Sequence, residues 1–136
     1  MKKKVTHVCY ADNDINEQYL FSRALDGMSN KRTLKTVYSC TLLMAYLDDK
    51  NQALPDMIFL NHNIKNNTAQ DCLKQIKRNS RLLNIPIVMY SNSHRNSELK
   101  TIKEAGIYKY IVKPLDLYDA RAVLLQVINE YENGWS

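Results

Sequence analysis

Five short apolar runs, each followed by a segment of helical periodicity, constrain this chain more than any other feature. The runs are Val5–Ala11, Leu34–Ser39, Met57–Leu60, Ile85–Ser91 and Ile107–Val112. All have strand length and are rich in β-branched or aromatic residues. Two of them, "MIFL" and "IPIVMY", are nearly continuous apolar stretches, as strands buried on both faces require. Strand and helix alternate five times. That order predicts a single α/β domain over residues 1–136, with a parallel sheet covered by helices on both faces.

The helical segments carry their own boundaries. "DINEQYLFSRALDG" opens with Asp14 and Glu17 at capping-box spacing and closes on Gly27. "TLLMAYLDD" is short and apolar on one face. A third helix starts at Thr68, with Asp71 as its partner. A fourth spans about residues 96–105 and stops at Gly106. The last begins at Asp116 and repeats Ala120, Val123, Leu124, Val127, Ile128 and Tyr131. Repeats, low-complexity stretches and an interdomain linker are absent from the sequence, and it reads as a stand-alone domain with no output domain.

Composition narrows the class. Of 136 residues, 45% are hydrophobic and 24% charged, the balance of an ordinary globular protein. No apolar run is long enough to span a membrane. The start, Met1-Lys2-Lys3-Lys4, lacks a following cleavage site. A cytoplasmic location is expected. The net charge of +5, from 19 basic and 14 acidic residues, raises nucleic acid as a partner. The bases are scattered, however, apart from Lys2–Lys4 and the helical patch Lys74, Lys77, Arg78 and Arg81, which reads as a solvated face. Cys9, Cys40 and Cys72 match neither a zinc site nor a disulfide framework, so they read as buried reduced thiols.

In open parallel sheets, ligands bind beyond the carboxyl ends of the strands. Asp12, Asn13 and Asp14 follow the first strand, and Asn61, His62 and Asn63 the third. Ser91, Asn92 and Ser93 close the fourth, and Lys113-Pro114 the fifth. Acids, amides, a hydroxyl and an ammonium are thus directed to one edge.

The motifs "ADND", "PDMIFLN", "IPIVMYS" and "AGIYKYIVKPL" in this order resemble the receiver domain of bacterial two-component response regulators, over about Val5 to Tyr131. The resemblance implies a flavodoxin-like (βα)5 fold with strand order 2-1-3-4-5. It implies an acceptor aspartate after strand three, phosphorylated by a histidine kinase. It also implies Mg²⁺ held by two acids after strand one, the acceptor and the carbonyl two residues beyond it. Carried over by position, the acid pair is Asp12 and Asn13, the acceptor Asn61 and the carbonyl ligand Asn63. The hydroxyl is Ser91, the lysine Lys113 and the switching aromatic Tyr110.

Three positions depart from the pattern. Asn13 replaces an acid, Asn61 replaces the acceptor, and Ala69 stands where glycine is common. Aspartyl phosphorylation uses an anionic carboxylate oxygen, and the Asn61 amide is a poor nucleophile at neutral pH. Mg²⁺ prefers carboxylates, so binding at Asp12, Asn13, Asn61 and Asn63 is expected to be weak or absent. Lys113, short of its usual anions, is expected to pair with Asp12. Asp14 reads as a helix cap rather than a ligand, and Tyr110 as core packing rather than a switch. Ser91 stands between a strand-end hydroxyl and a functional one. His7 reads as a surface or edge residue. His62 and His94 flank the pocket without ligand spacing.

The chain therefore reads as an atypical receiver, a non-enzymatic pseudo-receiver acting through phosphorylation-independent protein contacts. Its partner would be a histidine kinase, a phosphotransfer protein or an output protein. The surface of the fourth helix, fifth strand and fifth helix, with Lys100, Lys103, Tyr108, Lys109 and Tyr118, would serve for partners or a homodimer. One alternative is a conventional receiver that accepts phosphate with Mg²⁺ on another residue or after deamidation of Asn61. A second is a basic nucleic-acid adaptor.

Overall fold

The structure, a computed structural model, describes residues 3–28, 31–61, 63–64, 67–92 and 106–134. Five strands form one parallel sheet: β1 His7–Ala11, β2 Thr33–Val37, β3 Met57–Leu60, β4 Ile87–Ser91 and β5 Lys109–Val112. Their order is β2-β1-β3-β4-β5, the flavodoxin-like order expected. Among the described residues, three helices connect strands, α1 Ile15–Asp26, α2 Cys40–Asp48 and α3 Ala69–Lys77, and α4 Leu117–Glu132 closes the fold. Two-residue strands at Asn63–Ile64 and Asn67–Thr68 make a small antiparallel hairpin between β3 and α3. The helix expected over residues 96–105 lies outside the described residues.

Strand alternation sorts the core into two layers. Cys9, Ala11, Ile58, Leu60, Ile87 and Met89 face α2 and α3. Val8, Tyr10, Met57, Phe59, Val88 and Tyr90 face α1 and α4. The second layer is aromatic where it meets α1. Phe21 stacks on Tyr10 at 4.2 Å and meets Phe59 edge-on at 5.1 Å, and Tyr90 closes the group. Every residue of β3 is fully buried, which explains its unbroken apolar sequence.

One local reading is corrected and one is borne out. Asp14 caps α1 as expected, accepting from the Asn16 and Glu17 N–H groups. Glu17 does not complete the capping box, because the Asp14 N–H donates to Asp12 and the Glu17 carboxylate turns to Lys113. Gly27 ends α1 in ordinary right-handed backbone, at φ −77°. It also leaves room there: a Cβ would meet the Arg121 guanidinium, which reaches from α4 to the Arg23 and Ala24 carbonyls and would have to shift.

The cysteines are a second correction. Cys40 and Cys72 are disulfide-bonded across α2 and α3, with Cα atoms 5.8 Å apart, while Cys9 is a free buried thiol. Thirty-two residues separate the pair in sequence, so only the packing of α2 on α3 brings them together.

Candidate functional site

The backbone carries the site one step past the strands without losing register. The Asp12 N–H donates to the Val37 carbonyl, Asn61 N–H to Ala11 and Lys113 N–H to Ser91, at 2.7–3.0 Å. Ala11 lies opposite Leu60, so Asp12 and Asn61 emerge side by side. Ser91 lies opposite Val112, so Lys113 emerges beside it. Four side chains are thereby fixed at one edge by sheet hydrogen bonds rather than by loop conformation.

Asp12 is the hub and has no exposure to solvent. Its Oδ2 accepts from Lys113 Nζ at 2.6 Å and from the Tyr10 hydroxyl. Its Oδ1 accepts from the Asp14 N–H at 3.0 Å and from Asn61 Nδ2 at 3.1 Å. Asn61 Oδ1 in turn accepts from the Ser91 hydroxyl at 3.0 Å. The amide orientation follows from chemistry. A carboxylate only accepts, so Asn61 must point its NH₂ at Asp12 and leave its oxygen for Ser91.

Lys113 is 7% exposed and lies 2.6 Å from Asp12 and 3.6 Å from Glu17. Its ammonium also sits 5.8 Å from the ring centroids of both Tyr10 and Tyr90, within cation–π range. The pairing expected between Lys113 and Asp12 is thus formed. Burial, then the negative charge of Asp12 and the hydrogen bond to it, pushes the Tyr10 phenol far above its ordinary value. Tyr10 is therefore a standing proton donor to Asp12.

Asp12, Asn61, Ser91 and Lys113 are brought together, but Asn13 is not. It is exposed beside the hub. Asn63 falls in the small hairpin, paired with Thr68. Tyr110 packs half-buried against the α2/α3 core layer. Lys109 is not an open cation of a docking face, since it pairs with Glu130 at 3.6 Å and lies over the Tyr108 ring. Tyr118 protrudes at 81% exposure. His62, His94, Lys100 and Lys103 lie outside the described residues. Sequence reading missed Tyr10 and Glu17 as members of the site. The signal for Tyr10 was available, because two residues apart on a strand means the same face as Asp12.

The donor set does not fit Mg²⁺. A carboxylate offers about four lone-pair directions, and those of Asp12 meet Lys113, Tyr10, Asp14 and Asn61. A hard dication would have to displace an ammonium and an amide from Asp12, and Asn61 would offer it only a neutral oxygen. Among the described residues, no three acids, histidines or cysteines gather into a metal-ready cluster.

Comparison with known proteins identifies the class. The chain matches the response regulator receiver domain family over residues 8–125 and belongs to that family. It is 24% identical over 118 residues to the two-component response regulator ORR12 of Oryza sativa, covering 87% of this chain and 94% of that protein. It is 31% identical over 85 residues to the probable methanogenesis regulatory protein FilR2 of Methanothrix harundinacea, covering 62% of this chain and 54% of that protein. Among solved structures, the phosphorylated cyanobacterial phytochrome response regulator RcpA superposes with a TM-score of 0.85 at 21% identity, over 93% of this chain and 94% of that one. The molecule is a response regulator receiver domain of two-component signalling, a system in which receivers meet histidine kinases and output proteins. No described helix is long and apolar enough to cross a membrane.

Proposed function

We propose that this receiver signals through protein contacts, with Asn61 in the acceptor position closing the pocket that phosphorylation would otherwise open. The carrying observation is the Asn61 amide, which donates to Asp12 and accepts from Ser91. An aspartate at 61 would set a second carboxylate against Asp12, a repulsion that a metal ion normally relieves. The amide supplies a hydrogen-bond donor in its place. Lys113 then neutralises Asp12 directly, and the pocket is complete without metal or phosphoryl group.

On this reading Asp12, Asn61, Ser91, Lys113 and Tyr10 position the surrounding loops, and none is a nucleophile. The domain is a non-enzymatic binding module for a histidine kinase, a phosphotransfer protein or an output protein. Tyr110 serves as packing.

The test is incubation with a small acyl phosphate and Mg²⁺, read by intact mass, on this protein and on Asn61→Asp. The expected result is an unchanged native mass and a gain of about 80 Da on the variant, the mass of one phosphoryl group. A phosphorylated native protein would overturn the reading. If neither protein is modified, Asn61 is not the sole block, and the exposed Asn13 becomes the next position to restore.

A further inference from the structure

We propose that Cys40 and Cys72 form a reversible disulfide that couples the segment carrying Asn61 to the thiol redox state of its surroundings. Cys40 is the first residue of α2, and Cys72 is the fourth of α3. Both are fully buried in the same core layer, with Cα atoms 5.8 Å apart, inside the window that a disulfide requires. Both also lie toward the sheet edge that carries the site. The chain between them contains β3, Asn61 and the small hairpin. The cross-link therefore pins the first turn of α3, which begins eight residues after the acceptor position.

The two sulfurs are not equivalent, which favours exchange over an inert staple. Cys40 sits at a helix N-terminus, where the backbone dipole favours a thiolate. Gln75, half-buried on α3, covers it and directs Nε2 at its sulfur from 3.8 Å. Cys40 is accordingly the better attacking and leaving sulfur. Cys9, in the same layer, has neither feature, and burial pushes its thiol up to about 12.

The oxidant is a small-molecule disulfide such as glutathione disulfide. Both protein sulfurs are fully buried, so exchange runs through local opening of the α2/α3 contact. In that opened state the Cys40 thiolate attacks one sulfur of the oxidant, breaking that S–S bond and releasing one glutathione thiolate. Cys72 loses its proton to solvent and attacks the Cys40 sulfur of the mixed disulfide, releasing the second. Two protein thiols are oxidised and one glutathione disulfide is reduced to two thiols. Excess reduced glutathione reverses both steps. Nothing in this exchange depends on whether Asn61 blocks phosphoryl transfer.

The experiment equilibrates the full chain, under native conditions, in glutathione buffers from fully reducing to fully oxidising. Samples are acid-quenched, denatured, alkylated with N-ethylmaleimide and weighed. The expected result is a passage from three adducts to one as the buffer becomes oxidising, with peptide mapping joining Cys40 to Cys72. Amide hydrogen exchange over residues 57–77 is expected to slow by about tenfold in the oxidised form, because the cross-link suppresses local opening. Neither Cys72→Ser nor, separately, Cys40→Ala should form a protein cross-link at any ratio, and Cys72→Ser should stop at the Cys40–glutathione mixed disulfide, so the test survives if one variant folds poorly. Three adducts at every ratio, one adduct at every ratio, or hydrogen exchange indifferent to the bond would each overturn the proposal.

Discussion

Two buried carboxylates stand at opposite ends of the sheet and are held by different kinds of partner. Glu132, at the amino end, accepts from the Val5 backbone N–H at 2.8 Å, and the Arg32 guanidinium lies 4.0 Å away. Arg32 Nε donates to the Val5 carbonyl, so the group fastens the end of α4 to the start of the sheet through main chain. Asp12, at the carboxyl end, takes three of its four hydrogen bonds from side chains, on β1 and just beyond β3 and β5. A carboxylate held by backbone is a fastener. One held by side chains from several strands can pass a change of charge or partner between them, which is why the carboxyl end is where the same fold can be a switch or a closed lock.

The largest effect should separate these two roles. Asp12→Asn leaves the buried Lys113 with only Glu17 at 3.6 Å, and an uncompensated buried charge costs about 3–5 kcal/mol. Glu132→Gln keeps an acceptor for the Val5 N–H, and the buried Arg32 loses a carboxylate 4.0 Å away but keeps its bond to the Val5 carbonyl, so it should cost less, about 2 kcal/mol. Urea unfolding of both variants at neutral pH gives the comparison. Equal losses would mean that Asp12 is no more than a second fastener.

Next in size is Asn61→Asp. It removes the hydrogen bond to Asp12 and sets two carboxylates together, which should cost about 2–3 kcal/mol without metal. Millimolar Mg²⁺ should restore much of that in the variant and leave the native protein unchanged. A midpoint shift with Mg²⁺ in the native protein would contradict the misfit of its donor set.

The site was legible in sequence to the extent that strand ends are legible. The apolar runs located the five strands, and a parallel sheet forces their ends to one edge, so Asp12, Asn61, Ser91 and Lys113 could be grouped before any geometry was known. The pairing of Lys113 with Asp12 followed from counting charges. Two kinds of information were out of reach. Glu17 carried a local explanation as a capping partner, and a tertiary cation outcompeted it. Cys40 and Cys72 meet only through the packing of α2 on α3, which periodicity does not encode. Lys109 likewise reads as a surface charge until Glu130, on another element, is seen to take it.

The smallest effect at neutral pH belongs to Tyr10→Phe, and it shrinks with alkalinity. The variant removes one of four donors to Asp12, a loss of about 1.5 kcal/mol for a bond to a charged group. Burial pushes the Tyr10 phenol far up, with Asp12 adding to the rise, and burial followed by the charge of Glu17 takes Tyr90 up to about 12. In the unfolded chain both phenols release their protons near the ordinary 10.0. From about that pH upward the folded state holds protons that the unfolded state has lost, so stability falls as pH rises. Native protein should therefore lose stability steeply above about pH 10, and Tyr10→Phe should lose it less steeply because one of the two phenols is gone. Urea midpoints at pH 8, 9.5 and 11 test this, with phenolate absorbance showing that ionisation accompanies unfolding. Parallel curves for the two proteins would mean that the Tyr10 proton is not held by the folded state, and that Asp12 is a three-donor hub with an idle phenol beside it.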